Sequence, residues 1–131
     1  MRNININRSF KKDFEPFTTS EFYEQKTLFS WAKYNPRLKW MFAIPNGGKR
    51  DPKVGYIMKL QGVKPGVSDI FLPIPSKGFH GLFIEMKRKG NKTSPLQKEF
   101  ISDMTVNGYM CIVCFSAEEA IENINYYLRA K

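Results

Sequence analysis

The sequence predicts an α/β fold in which a small mixed sheet lies between helices, and three observations predict it. Short apolar runs of strand length, at residues 39–44, 70–72, 81–87 and 109–115, are set apart by turn residues. The stretches around them carry apolar residues at helical spacing. Three of those stretches open on Ser or Thr with Glu or Gln three positions later, the pattern of a capping box: Thr18 with Glu21, Ser94 with Gln97, Ser116 with Glu119. In order, the chain reads helix, strand, helix, strand, strand, helix, strand, helix. With the helix at 51–61 set aside, this is αβββαβ followed by a terminal helix.

Residues 1–17 are polar, basic and aperiodic. They read as a flexible basic arm, with Phe10, Phe14 and Phe17 available for packing. Residues 18–131 make one domain, long enough to bury a core without staples. The first helix runs from Thr18 to about residue 34 and stops before Pro36, because the residue before proline is pushed out of the α region. At about 100° per residue, Leu28, Phe29 and Ala32 define its inward stripe, and Glu21 and Gln25 project into that stripe. Glu24 lies at the stripe's edge. An acid aimed inward needs a reason. For Glu21 the capping box is one reason, and reach toward a site at the helix start is another.

The strand at 39–44 leads into Pro45-Asn46-Gly47-Gly48-Lys49-Arg50. This is either a flexible basic loop that approaches a phosphate backbone or a plain turn with exposed cations. Asp51, with Pro52 behind it, caps the next helix. Val54, Ile57, Met58 and Leu60 supply its apolar positions, and Gly62 ends it. Lys53, Lys59 and Lys64 add to the basic surface. The strands at 70–72 and 81–87 follow, then a basic turn at 87–92. The helix opened by Ser94 buries Leu96, Phe100, Ile101 and Met104 and ends by Gly108. The last helix turns Ala120, Ile121, Ile124 and Leu128 inward. No repeat, low-complexity tract or interdomain linker interrupts the chain.

Composition narrows the function class. A hydrophobic share of 42% and an aromatic share of 15% suit a globular fold. The net charge of +9 exceeds what folding needs and points to an anionic partner, nucleic acid before membrane. No stretch is long enough to cross a bilayer, and the first residues lack the apolar core of a signal peptide, so a cytoplasmic protein is expected. Cys111 and Cys114 stand three apart in a strand and so face opposite sides. With no second pair and His80 as the only histidine, they read as core cysteines rather than a metal or redox pair.

The chemistry concentrates between Gly62 and Lys89. Asp69 stands at the mouth of the 70–72 strand, and the next strand carries Glu85, Met86 and Lys87. Strand side chains alternate, so Glu85 and Lys87 share a face and Met86 takes the other. If the two strands pair as a hairpin, Asp69 lies near Glu85, and two carboxylates and an ammonium converge at the sheet's edge. Two like charges that close repel unless a divalent cation relieves them, and hard oxygen ligands completed by water and phosphate describe a Mg²⁺ site. Alternatively, Asp69 caps a turn while Glu85 and Lys87 form a solvated strand face.

Those residues form the Asp…Glu-x-Lys constellation of the PD-(D/E)XK nucleases, and the chain more specifically resembles the VRR-NUC, or virus-type replication-repair nuclease, family. The matching text is Glu21…Gln25, then FAIPNGGKR at 42–50, GVKPGVSDIFLP at 62–73, GLFIEMKRKGNKTSPLQKEF at 81–100 and NGYMCIVCFSAEEAIENINYYL at 107–128. The resemblance spans about residues 19–129. One departure is Ser68, where many members have Pro before the metal-binding Asp.

The resemblance implies a restriction-endonuclease-like core with a mixed central sheet flanked by helices. It implies that Asp69, Glu85 and the Met86 carbonyl bind the metal, with Glu21 as the helix-borne acid that completes the site. Lys87 is then the catalytic lysine, and Gln25 and Gln97 support it. It further implies a Mg²⁺-dependent (Mn²⁺-substitutable) deoxyribonuclease acting on branched DNA such as Holliday junctions in replication, recombination or repair, as a homodimer. Asn46, Lys49, Arg50, Lys53, Lys64, Arg88 and Lys89 are the expected DNA contacts. If the chain comes from a phage, the location is the host cytoplasm. The competing class is a non-catalytic DNA-binding accessory protein on the same fold.

Overall fold

The strand-length runs hydrogen-bond into one sheet, which a computed structural model describes for residues 19–45 and 51–129. The arm at 1–17, the Thr18 cap and the loop residues Asn46, Lys49 and Arg50 lie outside the described residues. The elements are helix α1 (Thr19–Ala32), a 3₁₀ turn (Pro36–Leu38), strand β1 (Phe42–Ala43), helix α2 (Pro52–Leu60) and strands β2 (Ile70–Leu72) and β3 (Leu82–Met86). Helix α3 (Pro95–Val106), strand β4 (Met110–Cys114) and helix α4 (Ala117–Leu128) complete the chain. The sheet order is β1-β2-β3-β4. The first two pairings are antiparallel and the β3–β4 pairing is parallel, so the chain needs a crossover there, which α3 supplies.

Alternation along β3 decides what each face of the sheet meets. Leu82, Ile84 and Met86 are buried in the core with Leu28 and Ala32 of α1 and Ile124 and Tyr127 of α4. Each such aliphatic side chain contributes roughly 1.5–3 kcal/mol by leaving water. Phe83 faces the other way, where its ring meets the edge of Phe100 on α3 at 5.0 Å and stacks on Phe71 of β2 at 4.4 Å. Glu85 has the parity of Phe83, so it lies under the start of α3 rather than in the aliphatic core.

The caps act as the sequence predicts at the described helix starts. Asp51 accepts from the Lys53 amide at 2.8 Å, and Ser116 accepts from the Glu119 amide at 3.1 Å. Ser94 and Gln97 form a reciprocal capping box. The far end of α4 is also tied down. The Arg37 guanidinium donates to the Leu128 carbonyl at 3.0 Å, Lys77 Nζ donates to the Arg129 carbonyl at 3.0 Å, and the Ser76 hydroxyl donates to the Tyr127 carbonyl. These donors satisfy carbonyls that a helix end leaves without partners. Tyr127, absent from the predicted core, is fully buried, and its hydroxyl donates to the Ile74 carbonyl at 2.6 Å.

Three expectations need correction. The predicted strand at 39–44 is only Phe42–Ala43, because Asn35 and Pro36 start a 3₁₀ turn and only those two residues reach β2. No residue of α2 is buried, and Val54, Ile57 and Leu60 are exposed, so its apolar positions lie outside the core cluster of the described residues. The α3 stripe is half-buried rather than buried, with Leu96 at its exposed end, since α3 covers only one side of a narrow sheet.

Candidate active site

The antiparallel register sets Ile70 opposite Ile84, so one step toward the end of the sheet Asp69 faces Glu85. Asp69 is held from two sides. Its carbonyl accepts from the Ile44 amide at 2.7 Å, and its Oδ2 accepts from the Met86 amide at 2.8 Å. The hairpin pairing conjectured from the sequence is therefore real, and the two carboxylates meet at the sheet's end.

Glu85 is 3% exposed, which is rare for a carboxylate. Its Oε2 accepts from Gln97 Nε2 at 3.3 Å and lies 3.9 Å from Lys87 Nζ. Its Oε1 is buried without a hydrogen-bond partner. Burial first, and the Asp69 charge second, push the Glu85 carboxyl up to about 9. The charge of Glu21 adds to this, while Lys87 pulls the other way. At 3.9 Å the ammonium is too loosely engaged to win against desolvation.

A buried carboxylate oxygen with no donor, beside a second carboxylate, is a set of hard oxygen ligands. Mg²⁺ commonly takes one or two carboxylates and keeps several waters, so Asp69 and Glu85 fit it. Glu21 meets the chain just beyond Lys87. Its Oε2 accepts from the Arg88 amide at 3.0 Å, and among the described residues no three acidic, histidine or cysteine side chains gather closely enough to hold a metal. Its charge still reaches Glu85, so α1 delivers it to the border of the site.

Helix α1 has a second acid contact that sequence reasoning missed. Glu24 Oε1 accepts from the Ala117 amide at 2.7 Å, at the start of α4. A carboxylate suits the positive end of a helix, so Glu24 pins α1 to α4. Gln25, one turn beyond Glu21, is half-buried. Gln97 fills both roles left open for it: Oε1 accepts from the Ser94 amide at 2.8 Å while Nε2 holds Glu85. Of the expected DNA contacts, Lys53, Lys64, Arg88 and Lys89 are exposed; Arg88 and Lys89 directly follow Lys87 at the rim.

No helix of the described residues is long and apolar enough to cross a membrane. A solved structure of a VRR_NUC domain protein superposes with a TM-score of 0.72 at 28% identity, covering 83% of this chain and 88% of that one. No curated protein matches the chain. A family profile for the VRR-NUC domain matches residues 24–118, from the acid that pins α1 through the first turn of α4, taking in Asp69, Glu85, Lys87 and Gln97. The chain therefore belongs to the VRR-NUC domain family, a nuclease-type DNA-processing domain on a restriction-endonuclease-like fold.

Proposed function

We propose that the protein is a Mg²⁺-dependent DNA endonuclease, with Mn²⁺ able to substitute, that hydrolyses phosphodiester bonds in branched DNA such as Holliday junctions. The observation that carries this reading is the buried Glu85 oxygen without a donor, facing the Asp69 carboxylate across the hairpin. Asp69, Glu85 and the Met86 carbonyl would hold the ion. The ion's chemistry is to polarise the phosphate and offset charge that builds up in the transition state.

The chain's own residues do the rest. Lys87, half-buried beside Glu85, places a positive charge where the attacking water and the pentacovalent phosphorus meet. Gln97 fixes the Glu85 carboxylate, and Glu21 anchors the Arg88 backbone as β3 leaves the sheet. Arg88, Lys89, Lys64 and Lys53, with Asn46, Lys49 and Arg50, engage phosphates without reading bases, so affinity falls steeply with salt. A homodimer is the assembly we assign, because two copies of one site cut two symmetric strands of a junction.

The test is cleavage in Mg²⁺ across flaps, forks, four-way junctions and linear duplexes, with binding measured in Ca²⁺. Asp69→Asn and Glu85→Gln should cut cleavage by ~10² or more while binding persists or tightens, because a carboxylate facing phosphate repels it. Lys87→Ala should abolish cleavage while calorimetric Mn²⁺ binding survives. Normal cleavage by folded Asp69→Asn protein would remove the assignment, and binding by the wild-type chain with no cleavage of any substrate would leave an accessory role.

A further inference from the structure

We propose that the end of the sheet opposite the carboxylates carries a second nucleic-acid site, which holds an unpaired strand by stacking its bases on exposed aromatic rings. This rests on the reading of the chain as a nucleic-acid-processing protein but uses none of the carboxylate site. The place follows from the topology. Ile44 lies beside Asp69, so the residues before Phe42 lead away from the site. Helix α1, of 14 residues, carries the chain from Glu21 to the same far end, about 16 Å away.

Four segments meet there, one of them the α3–β4 turn, whose Gly108 carbonyl accepts from the His80 amide at 2.8 Å. The chain after α1 touches the end of α4 through the bond from Arg37 to the Leu128 carbonyl. The β2–β3 turn touches it through Lys77 and the Arg129 carbonyl, and through Tyr127 and the Ile74 carbonyl. Residues 33–45, 73–81 and 123–129 hold Lys33, Arg37, Lys39, Lys77 and Arg129 and no aspartate or glutamate, while Glu122 stands one turn before Tyr126 on α4 and Asp103 lies in the last turns of α3. Five cations against these two acids leave an excess of positive charge that attracts a polyanion.

Aromatic rings stand among these cations. Tyr34 is 88% exposed and Trp40 71%, the two most exposed aromatic side chains among the described residues. The core does not use them, since Leu38 and Met41 beside Trp40 are buried instead. Lys39 Nζ lies 5.4 Å from the Trp40 ring, and Tyr126 has Lys77 at 4.8 Å and Arg129 at 5.6 Å. The backbone carrying Trp40 is ordered by the 3₁₀ turn, where Asn35 accepts from the Arg37 amide at 3.0 Å, so the rings are held out before any partner arrives. Base faces are free to stack only where the strand is unpaired, and stacking beside cations is how single strands are held without regard to sequence.

The test uses the full chain without divalent cations. The protein has two tryptophans, so Trp31→Phe leaves Trp40 as the only indole reporter. A thymidine oligonucleotide should quench its emission at low salt, and a blunt duplex of equal length should not. In the otherwise wild-type chain, Tyr34→Ala with Trp40→Ala should lower affinity for labelled oligonucleotide by about tenfold or more in anisotropy titrations. Duplex affinity and the thermal melt should not change. Equal losses for both DNAs, equal quenching by duplex, quenching that follows protein concentration instead of DNA, or tighter binding to anionic lipid vesicles than to oligonucleotide would each overturn the proposal. Asp69→Asn protein separates the two readings, since it should keep the quenching while losing cleavage. Quenching in a wild-type chain that cuts nothing sinks the nuclease assignment alone, and cleavage without quenching sinks the second site alone.

Discussion

Gln97 donates its side-chain amide to Glu85 at 3.3 Å while its carbonyl oxygen caps its own helix through the Ser94 amide at 2.8 Å. One side chain therefore ties the start of α3 to the buried carboxylate of β3, and helix stability and site geometry share a residue. Gln97→Ala should lose about 1 kcal/mol of stability from the cap. It should also lose ~10–100-fold in metal affinity or cleavage, the scale for a residue that orients a ligand. Thermal melts and calorimetric Mn²⁺ titration on the same preparation separate the two losses. A melt shift with unchanged Mn²⁺ affinity would show that the Glu85 contact is idle.

Glu85 gives the metal-free protein a pH dependence of a particular sign. Its carboxyl lies at about 9 in the folded chain against an ordinary 4.5, raised by burial and then by Asp69. Between those values the folded state binds more protons than the unfolded state, so stability falls as pH rises from 4.5 to about 9. Thermal melts in chelator should decline across that window. Glu85→Gln should flatten the decline, and Mg²⁺ should restore the wild-type melt at the alkaline end by competing with the proton. An unchanged slope in Glu85→Gln protein would place the titration on another group.

The two acids of α1 should separate by substitution. Glu24→Ala leaves the Ala117 amide at the start of α4 without its acceptor and should cost about 1 kcal/mol, while Glu24→Gln, which still accepts, should cost little. Glu21→Gln keeps an acceptor for the Arg88 amide but removes a charge from the border of the site. It should stay folded and bind DNA, with cleavage reduced less than in Glu85→Gln. Inactivity as deep as that of Glu85→Gln would make Glu21 a direct ligand.

Gly66 shows how tightly the approach to Asp69 is packed. Its φ is +92°, and a Cβ there would meet Leu96 at 2.8 Å, with the Leu96 backbone at 2.9 Å. Gly66→Ala should destabilise by roughly 1–3 kcal/mol through the disfavoured backbone alone. It should also displace the loop that delivers Asp69. A lowered melt with lost cleavage is expected, and a wild-type melt would show that the loop yields freely.

Local chemistry made much of this protein readable without its structure. Ser94, Ser116 and Asp51 cap their helices because each cap is an interaction within three residues. The Asp69–Glu85 meeting followed from strand alternation once a hairpin was assumed. What separated segments do to one another had to come from the tertiary structure. Glu24 and the Ala117 amide are 93 positions apart, and no periodicity pairs them. Helical spacing marked an apolar face on α2 but could not say that this face stays outside the core of the described residues, and it left Tyr127 out of a core that encloses it. Trp40 stands in water for the same reason: a sequence pattern tells which way a side chain faces, and only the packed chain decides what, if anything, covers it.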